Sequence, residues 1–300
     1  GQNMNINNLF DKKEVVFSFE IFPPKQESKI DTIYNTLEEL KDLKPDFISV
    51  TYGAGGSLSK NMTREISSIV KNKYKIEPLA HLTCINSNKN QVNSILDNLK
   101  QSGIENILAL RGDIPLGYKG SNEFDHASDL IKHIKQRGDF NIVGACYPEG
   151  HLDSKNLEED IINLKKKQKA GATHLISQLF FDNEYFYSFL EEKEKYNIDI
   201  PVQAGIMPVI NTKQINRIVS LCGAKLPKKF IRIINKYEFN PEALRDAGIA
   251  YATEQIVDLI SNGVDGINLY TMNNSNVAKR ISTSIFYILD TINNCERLIN

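Results

Sequence analysis

Residues 157–180 read LEEDIINLKKKQKAGATHLISQLF, and this stretch decides the fold. Leu157–Lys169 is a polar segment with helical periodicity. Ala170-Gly171-Ala172 follows, with glycine where a helix ends in a left-handed residue. The chain then enters His174–Phe180, a short apolar run of strand type. The same unit recurs on both sides. Strand-type runs occupy Val15–Phe22, Phe47–Tyr52, Glu77–Cys84, Asn106–Gly112, Asn141–Pro148, Pro201–Pro208 and Asp265–Met272. Their starts fall roughly 30 residues apart, the length of one βα unit. Between them, Ile30–Leu43 sets Ile33, Leu37 and Leu40 on one stripe, and Val92–Leu99 behaves similarly. Ser102-Gly103, Asn262-Gly263 and Lys44-Pro45 mark further helix ends.

Strands alternating with helices are parallel, and eight of them favour closure, because an open sheet leaves edges. The pattern predicts an α/β fold, a (β/α)8 TIM barrel, with residues 1–300 as one catalytic domain and 1–12 as a flexible lead-in. Barrels of about 250 residues routinely form one unit. The long interval from Pro208 to Asp265 holds the turn signals Leu226-Pro227 and Asn240-Pro241, which predicts extra helices between strands seven and eight. The competing architecture is a doubly wound open sheet, but no GxGxxG follows the first strand.

Lys plus Arg number 36 and Asp plus Glu 37, so the chain lacks the basic footprint of a nucleic-acid binder. No run approaches the length of a membrane-spanning helix. Cys84, Cys146, Cys222 and Cys295 are too scattered for a disulfide framework or a CxxC knuckle, which fits a reducing cytoplasm. His81 and Cys84, three apart on a strand, face opposite sides and cannot chelate one metal ion.

Unusual polar residues cluster where the strands end, which in a barrel is the reactive mouth. Ser18, Glu20 and Phe22 share one strand face, and Phe17, Phe19 and Ile21 the other. Either way Glu20 sits among apolar neighbours. That position suits a carboxyl kept protonated for acid–base work, or one paired with a cation across the barrel. Arg111-Gly112-Asp113 reads as a close ligand approach between two charges, or as a simple turn. Thr51 to Ser57 is either a phosphate-cradling loop or a flexible βα loop. Lys165-Lys166-Lys167 is either a solvated helix face or a phosphate contact. The aromatic cluster from Phe180 to Phe189 mixes core with a wall for a flat heterocycle.

Seven motifs then occur in order: Ser18-Phe19-Glu20-Ile21-Phe22-Pro23-Pro24-Lys25, Val50-Thr51-Tyr52-Gly53-Ala54, His81-Leu82-Thr83-Cys84, Ala109-Leu110-Arg111-Gly112-Asp113, Tyr147-Pro148-Glu149, Gln178-Leu179-Phe180-Phe181-Asp182 and Gly205-Ile206-Met207-Pro208. Together they resemble the bacterial methylenetetrahydrofolate reductases, from about Val15 to about Asn273. The resemblance implies a barrel flavoprotein of one-carbon metabolism and methionine biosynthesis. Such an enzyme holds FAD non-covalently, takes hydride from NADH or NADPH, and passes it to methylenetetrahydrofolate in a ping-pong cycle.

By the same resemblance, Glu20 and Asp113 are catalytic: Glu20 the general acid, Asp113 the carboxylate beside flavin and pterin. Both, with Gln178 and Gln214, would bind the folate. Tyr52, Ala54, His81, Arg111, Gly112, Tyr147, His151, Asp160, Asn163, Lys166 and Lys167 would contact FAD, with Thr51 at the nicotinamide. His126, before Ala127, stands where relatives carry tyrosine, and both are expected at the cofactor. Asn274 replaces an arginine, leaving Lys213 as a candidate for the folate tail. Expected partners are reduced folate, a nicotinamide nucleotide, and either further copies of the chain or a partner electron-transfer subunit. A flavin- and folate-binding subunit of a larger electron-transfer complex is the competing function. A folate methyltransferase barrel, which would lack flavin, is a third.

Overall fold

Eight parallel strands close into a barrel in sequence order in the computed structural model of the protein, which describes residues 5–52, 57–114, 116–117, 123–151 and 153–294. The strands are β1 (Val16–Ile21), β2 (Ile48–Val50), β3 (Pro78–Thr83), β4 (Asn106–Leu110), β5 (Asn141–Cys146), β6 (His174–Ser177), β7 (Val202–Ile206) and β8 (Gly266–Tyr270). All eight fall within the expected runs. Several runs extend past the strand ends, because residues such as Phe180 leave the ladder yet stay buried. Phe180 stacks on Phe186, 5.2 Å between ring centroids.

The helices are α1 (Leu9–Lys12), α2 (Ile30–Leu40), α3 (Ser57–Asn72), α4 (Lys89–Gln101), α5 (Ala127–Arg137), α6 (Leu157–Ala170), α7 (Asn183–Lys195), α8 (Thr212–Cys222), α9 (Lys228–Tyr237), α10 (Pro241–Ser261) and α11 (Ser275–Asn294). As expected, the β7–β8 interval holds additional helices, α8 and α9 preceding the long α10. Gly248 lets α10 approach the loop after β7 closely: a Cβ there would lie 1.7 Å from the carbonyl oxygen of Val209.

Alternation along each strand sorts side chains into two layers. Phe17, Phe19 and Ile21 turn outwards and bury against Ile33, Leu37 and Leu40 of α2 and Ile281 of α11. Val16, Phe47, Leu79, Leu108, Val143 and Ile176 form a separate apolar cluster that fills the barrel. His81 points inwards with this second set, whereas Cys84 belongs to the outer layer with Val92 and Leu96 of α4.

The expectation of a flexible lead-in through residue 12 is corrected for residues 5–12. A 3-10 turn over Ile6–Asn8 runs into α1, and Ile6 and Leu9 are buried in the inner cluster. The amide N–H of Ile6 donates to Asn106 Oδ1 (3.1 Å), which also accepts from Asn141 Nδ2 (3.0 Å). Phe10 rests against His174, 4.7 Å between centroids. These contacts lie at the strand starts, so the segment closes the barrel floor opposite the mouth. The apolar residues Ile6, Leu9 and Phe10, spaced at three and four, supply the helical face that composition alone concealed.

Candidate active site

The strand C-termini surround a cavity of about 900 Å³, at the upper end of volumes that enclose a small-molecule ligand. On one side stand Glu20, Thr51, Tyr52 and His81, from β1 to β3 and the loop after β2. Arg111, Gly112 and Asp113 form the rim after β4, with His126 and Ala127 at the start of α5. Tyr147, His151, Asp160, Asn163, Lys167 and Gln178 complete the wall from β5, α6 and β6. Glu20 and Asp113 therefore share one mouth, as the motif order implies.

Glu20 faces inwards, and its position in the barrel withdraws water from the carboxyl. Burial raises its pKa to about 8, opposed by hydrogen bonds from Asn268 and Ser49. Among the described residues no lysine or arginine forms an ion pair with Glu20. Its nearest basic neighbour, His81, has Nε2 at 3.7 Å, but burial lowers that imidazole to about 3. The contact is between two neutral groups near neutral pH, and His81 Nε2 instead bonds Ser49 Oγ at 2.6 Å.

The far side of the cavity carries charge. Lys167 is directed inwards from α6, donates to the carbonyl of Ala145 (2.8 Å) and lies 5.4 Å from the Tyr147 ring centroid. Desolvation lowers its pKa, while Cys146 and Asp160 act the other way. Arg111 pairs with Asp153 and donates from Nε to the carbonyl of Gly112 (3.2 Å). Gly112 needs its identity: φ is +89°, and a Cβ would meet Ile85 Cγ2 at 2.6 Å. The Tyr52 hydroxyl is buried without a hydrogen-bond partner among the described residues, and burial pushes its pKa well up. An orphaned hydroxyl in a cavity wall points to a ligand that would satisfy it.

Among the described residues, two of those expected, Lys166 and Gln214, do not line the cavity. Ala54 lies outside the described residues. Lys166 is exposed on α6, one position from the inward Lys167, so a helix turn of 100° per residue assigns the two lysines to different faces. Gln214 is occupied as a helix cap: its Oε1 accepts from the N–H of Ile210 (2.9 Å) and Asn211 (3.2 Å), closing a capping box on α8. Asn-x-x-Gln is itself the sequence signal for that box. Asn274 caps α11 by accepting from the N–H of Val277 (3.1 Å). Sequence reasoning missed Asp153, Ser49, Asn268 and Tyr270. The last two sit at alternate positions of the β8 run, the same inward phase as Ser18 and Glu20 in register.

A closed parallel barrel with an acid and a cation directed into a cavity at its strand C-termini belongs to the (β/α)8 class of enzymes. The family model described as methylenetetrahydrofolate reductase matches residues 5–285. The chain belongs to the methylenetetrahydrofolate reductase family. It is 34% identical over 268 residues to the 5,10-methylenetetrahydrofolate reductase of Escherichia coli K12, covering 89% of this chain and 90% of that one. Against the enzyme of Pectobacterium carotovorum subsp. carotovorum identity is 34%, covering 88% of each. Methylenetetrahydrofolate reductase (NADH) 1 of Arabidopsis thaliana is also 34% identical over 89% of this chain, but the chain spans only 48% of that relative's length. Among solved structures, a Clostridium thermocellum protein described as binding two copies of 5-methyl-5,6,7,8-tetrahydrofolic acid superposes with a TM-score of 0.66. That match covers 94% of this chain and 98% of the other; at 15% identity it speaks to the fold alone. No described helix is long and apolar enough to cross a membrane.

Proposed function

We propose that this chain reduces 5,10-methylenetetrahydrofolate to 5-methyltetrahydrofolate, with FAD as cofactor and NADH or NADPH as donor. The observation that carries the reading is Glu20: a carboxyl protonated near neutrality, in one cavity with Asp113 and Gln178. The residues suit the flavin chemically. Lys167 and Arg111 supply cationic donors for a pyrophosphate, and Gly112 lets the backbone approach. The Tyr52 hydroxyl, which has no partner among the described residues, supplies a donor, and Leu108, Leu110, Ile176 and Tyr147 supply an apolar and aromatic surface for a ring system. When bound, FAD would supply a hydride relay between two substrates that occupy the site in turn.

In this reading Glu20 gives its proton to a bridging nitrogen of the folate, opening the five-membered ring so that the one-carbon unit accepts hydride. Asp113 anchors the pterin, and Gln178 presents its amide to it. Arg111 exchanges Asp153 for phosphate oxygens. The names of the bacterial relatives support the substrate, and that of the plant relative supports NADH over NADPH.

Anaerobic absorbance spectroscopy tests this directly. The protein should bind FAD and be yellow, NADH or NADPH should bleach it, and methylenetetrahydrofolate should restore the colour. Failure to bind FAD would overturn the reading. Bleaching only by dithionite, followed by folate reoxidation, would transfer the donor role to a partner protein.

A further inference from the structure

Glu20 stands at the end of a chain of hydrogen bonds that threads the barrel from floor to mouth. Asn268 Nδ2 donates to Glu20 Oε1 (3.3 Å), and Ser18 Oγ donates to Asn268 Oδ1 (2.8 Å). Gln203 Nε2 donates to Ser18 Oγ (3.0 Å), and Gln203 Oε1 meets His174 Nε2 (3.1 Å). Four strands contribute, β6, β7, β1 and β8, and His174, Gln203, Ser18 and Asn268 are all buried.

The chain has a direction. Gln203 Nε2 also reaches the backbone carbonyl of Ile267 (3.4 Å), an acceptor only, which fixes the amide with its NH2 towards Ser18. Its oxygen then faces His174, whose Nε2 must carry the proton. His174 Nδ1, enclosed by Phe10 and Phe47, has no hydrogen-bond partner among the described residues. A bare lone pair is tolerated there better than an orphaned N–H. Both ends therefore select one polarity, in which every donor points towards Glu20.

We propose that His174, Gln203, Ser18 and Asn268 are positioning residues that hold a donor on Glu20 Oε1 and make it a stronger acid than its burial alone would. The inference rests on Glu20 acting as the acid. As its proton passes to a substrate nitrogen, negative charge grows on a carboxylate already facing Asn268 Nδ2, and each bond of an aligned chain polarises the next. Among the described residues, Tyr52, His81, Arg111, Asp113, His126, Tyr147, His151, Asp153, Glu159, Asp160, Lys167 and Tyr270 are the other titratable or charged side chains that line the cavity with Glu20. None of them belongs to the chain.

Infrared difference spectroscopy of the protein, with the Glu20 carboxyl band assigned by Glu20→Gln, reads its midpoint without turnover. Asn268→Leu should raise the midpoint by about one pH unit, a tenfold weaker acid. Gln203→Met and His174→Phe should raise it by less, although neither side chain touches Glu20. His174→Gln, which keeps a donor where Nε2 stood, should restore it. A midpoint unchanged or lowered in Asn268→Leu and Gln203→Met overturns the proposal. Should these variants not fold, nitrogen NMR of the wild-type imidazoles decides: the polarity demands Nε2–H on His174, and an Nδ1–H tautomer overturns it. A midpoint that moves as expected in a protein inert towards folate would sustain the chain and defeat the functional reading instead.

Discussion

His81 Nε2 lies 3.7 Å from Glu20 Oε1, the spacing of an ion pair, yet burial drives both side chains to their neutral forms. The folded protein keeps Glu20 protonated up to about 8, whereas the unfolded chain releases that proton near 4.5. Between those values the fold binds the extra proton, so this group's contribution to stability falls as pH rises through the window. His81 acts in the opposite sense. It stays neutral in the fold down to about 3 but protonates below 6.5 when unfolded, so it weakens the fold as pH falls from 6.5. Glu20→Gln removes the first effect. Its melting temperature should exceed that of wild type at pH 8.5, with the gap closing towards pH 4.5; a gap independent of pH would count against a buried neutral acid.

The same substitution should separate the two half-reactions. Flavin reduction by the nicotinamide nucleotide should persist in Glu20→Gln, while reoxidation by methylenetetrahydrofolate should be lost. In wild type, reoxidation should slow as pH rises past about 8, where the acid has given up its proton. Stopped-flow absorbance across pH measures each limb. Equal loss of both half-reactions would remove Glu20 from the proton transfer.

Lys166 and Lys167 adjoin in sequence, but only Lys167 lines the cavity. Lys167→Met removes a half-buried, cavity-facing cation beside Tyr147 and should weaken FAD binding at least about 30-fold, the scale of losing one partner of a desolvated charge contact. Lys166→Gln, on the exposed face, should leave the FAD dissociation constant within about twofold. Titration of apoprotein with FAD measures both. Equal losses would return Lys166 to the cofactor.

Gly248→Ala should lower stability by about 1–3 kcal/mol, because its Cβ would lie 1.7 Å from the Val209 carbonyl and α10 must move away from the β7 loop. Chemical denaturation measures the loss. A neutral effect would mean that α10 does not approach that loop as described.

Ile6→Ala should cost about 2–5 kcal/mol, the usual range for truncating a buried aliphatic side chain. Denaturant titration should show the loss with an unchanged slope. Stability equal to wild type would favour the flexible lead-in that composition suggests.

The eight strands, their parallel order and the extra helices before β8 were legible in sequence, because alternation and helical spacing are local properties of a few consecutive residues. The mouth was legible for a related reason: strand ends carry Glu20, Thr51, Arg111, Tyr147 and Gln178, and parallel order sends all those ends the same way. Asn-rich composition hid the barrel floor, since only three apolar residues, Ile6, Leu9 and Phe10, fold that segment onto the strands.

What the amino-acid order determined by itself is a set of βα units and the edge at which their polar residues emerge. Only closure of the barrel decided which of those residues meet. The stagger between neighbouring strands carries His174 at the start of β6 through Gln203, Ser18 and Asn268 to Glu20 near the end of β1, a path no local pattern contains. One step of helix rotation likewise turned Lys167 inwards and Lys166 to solvent, because a side chain's direction is fixed only once its helix has docked.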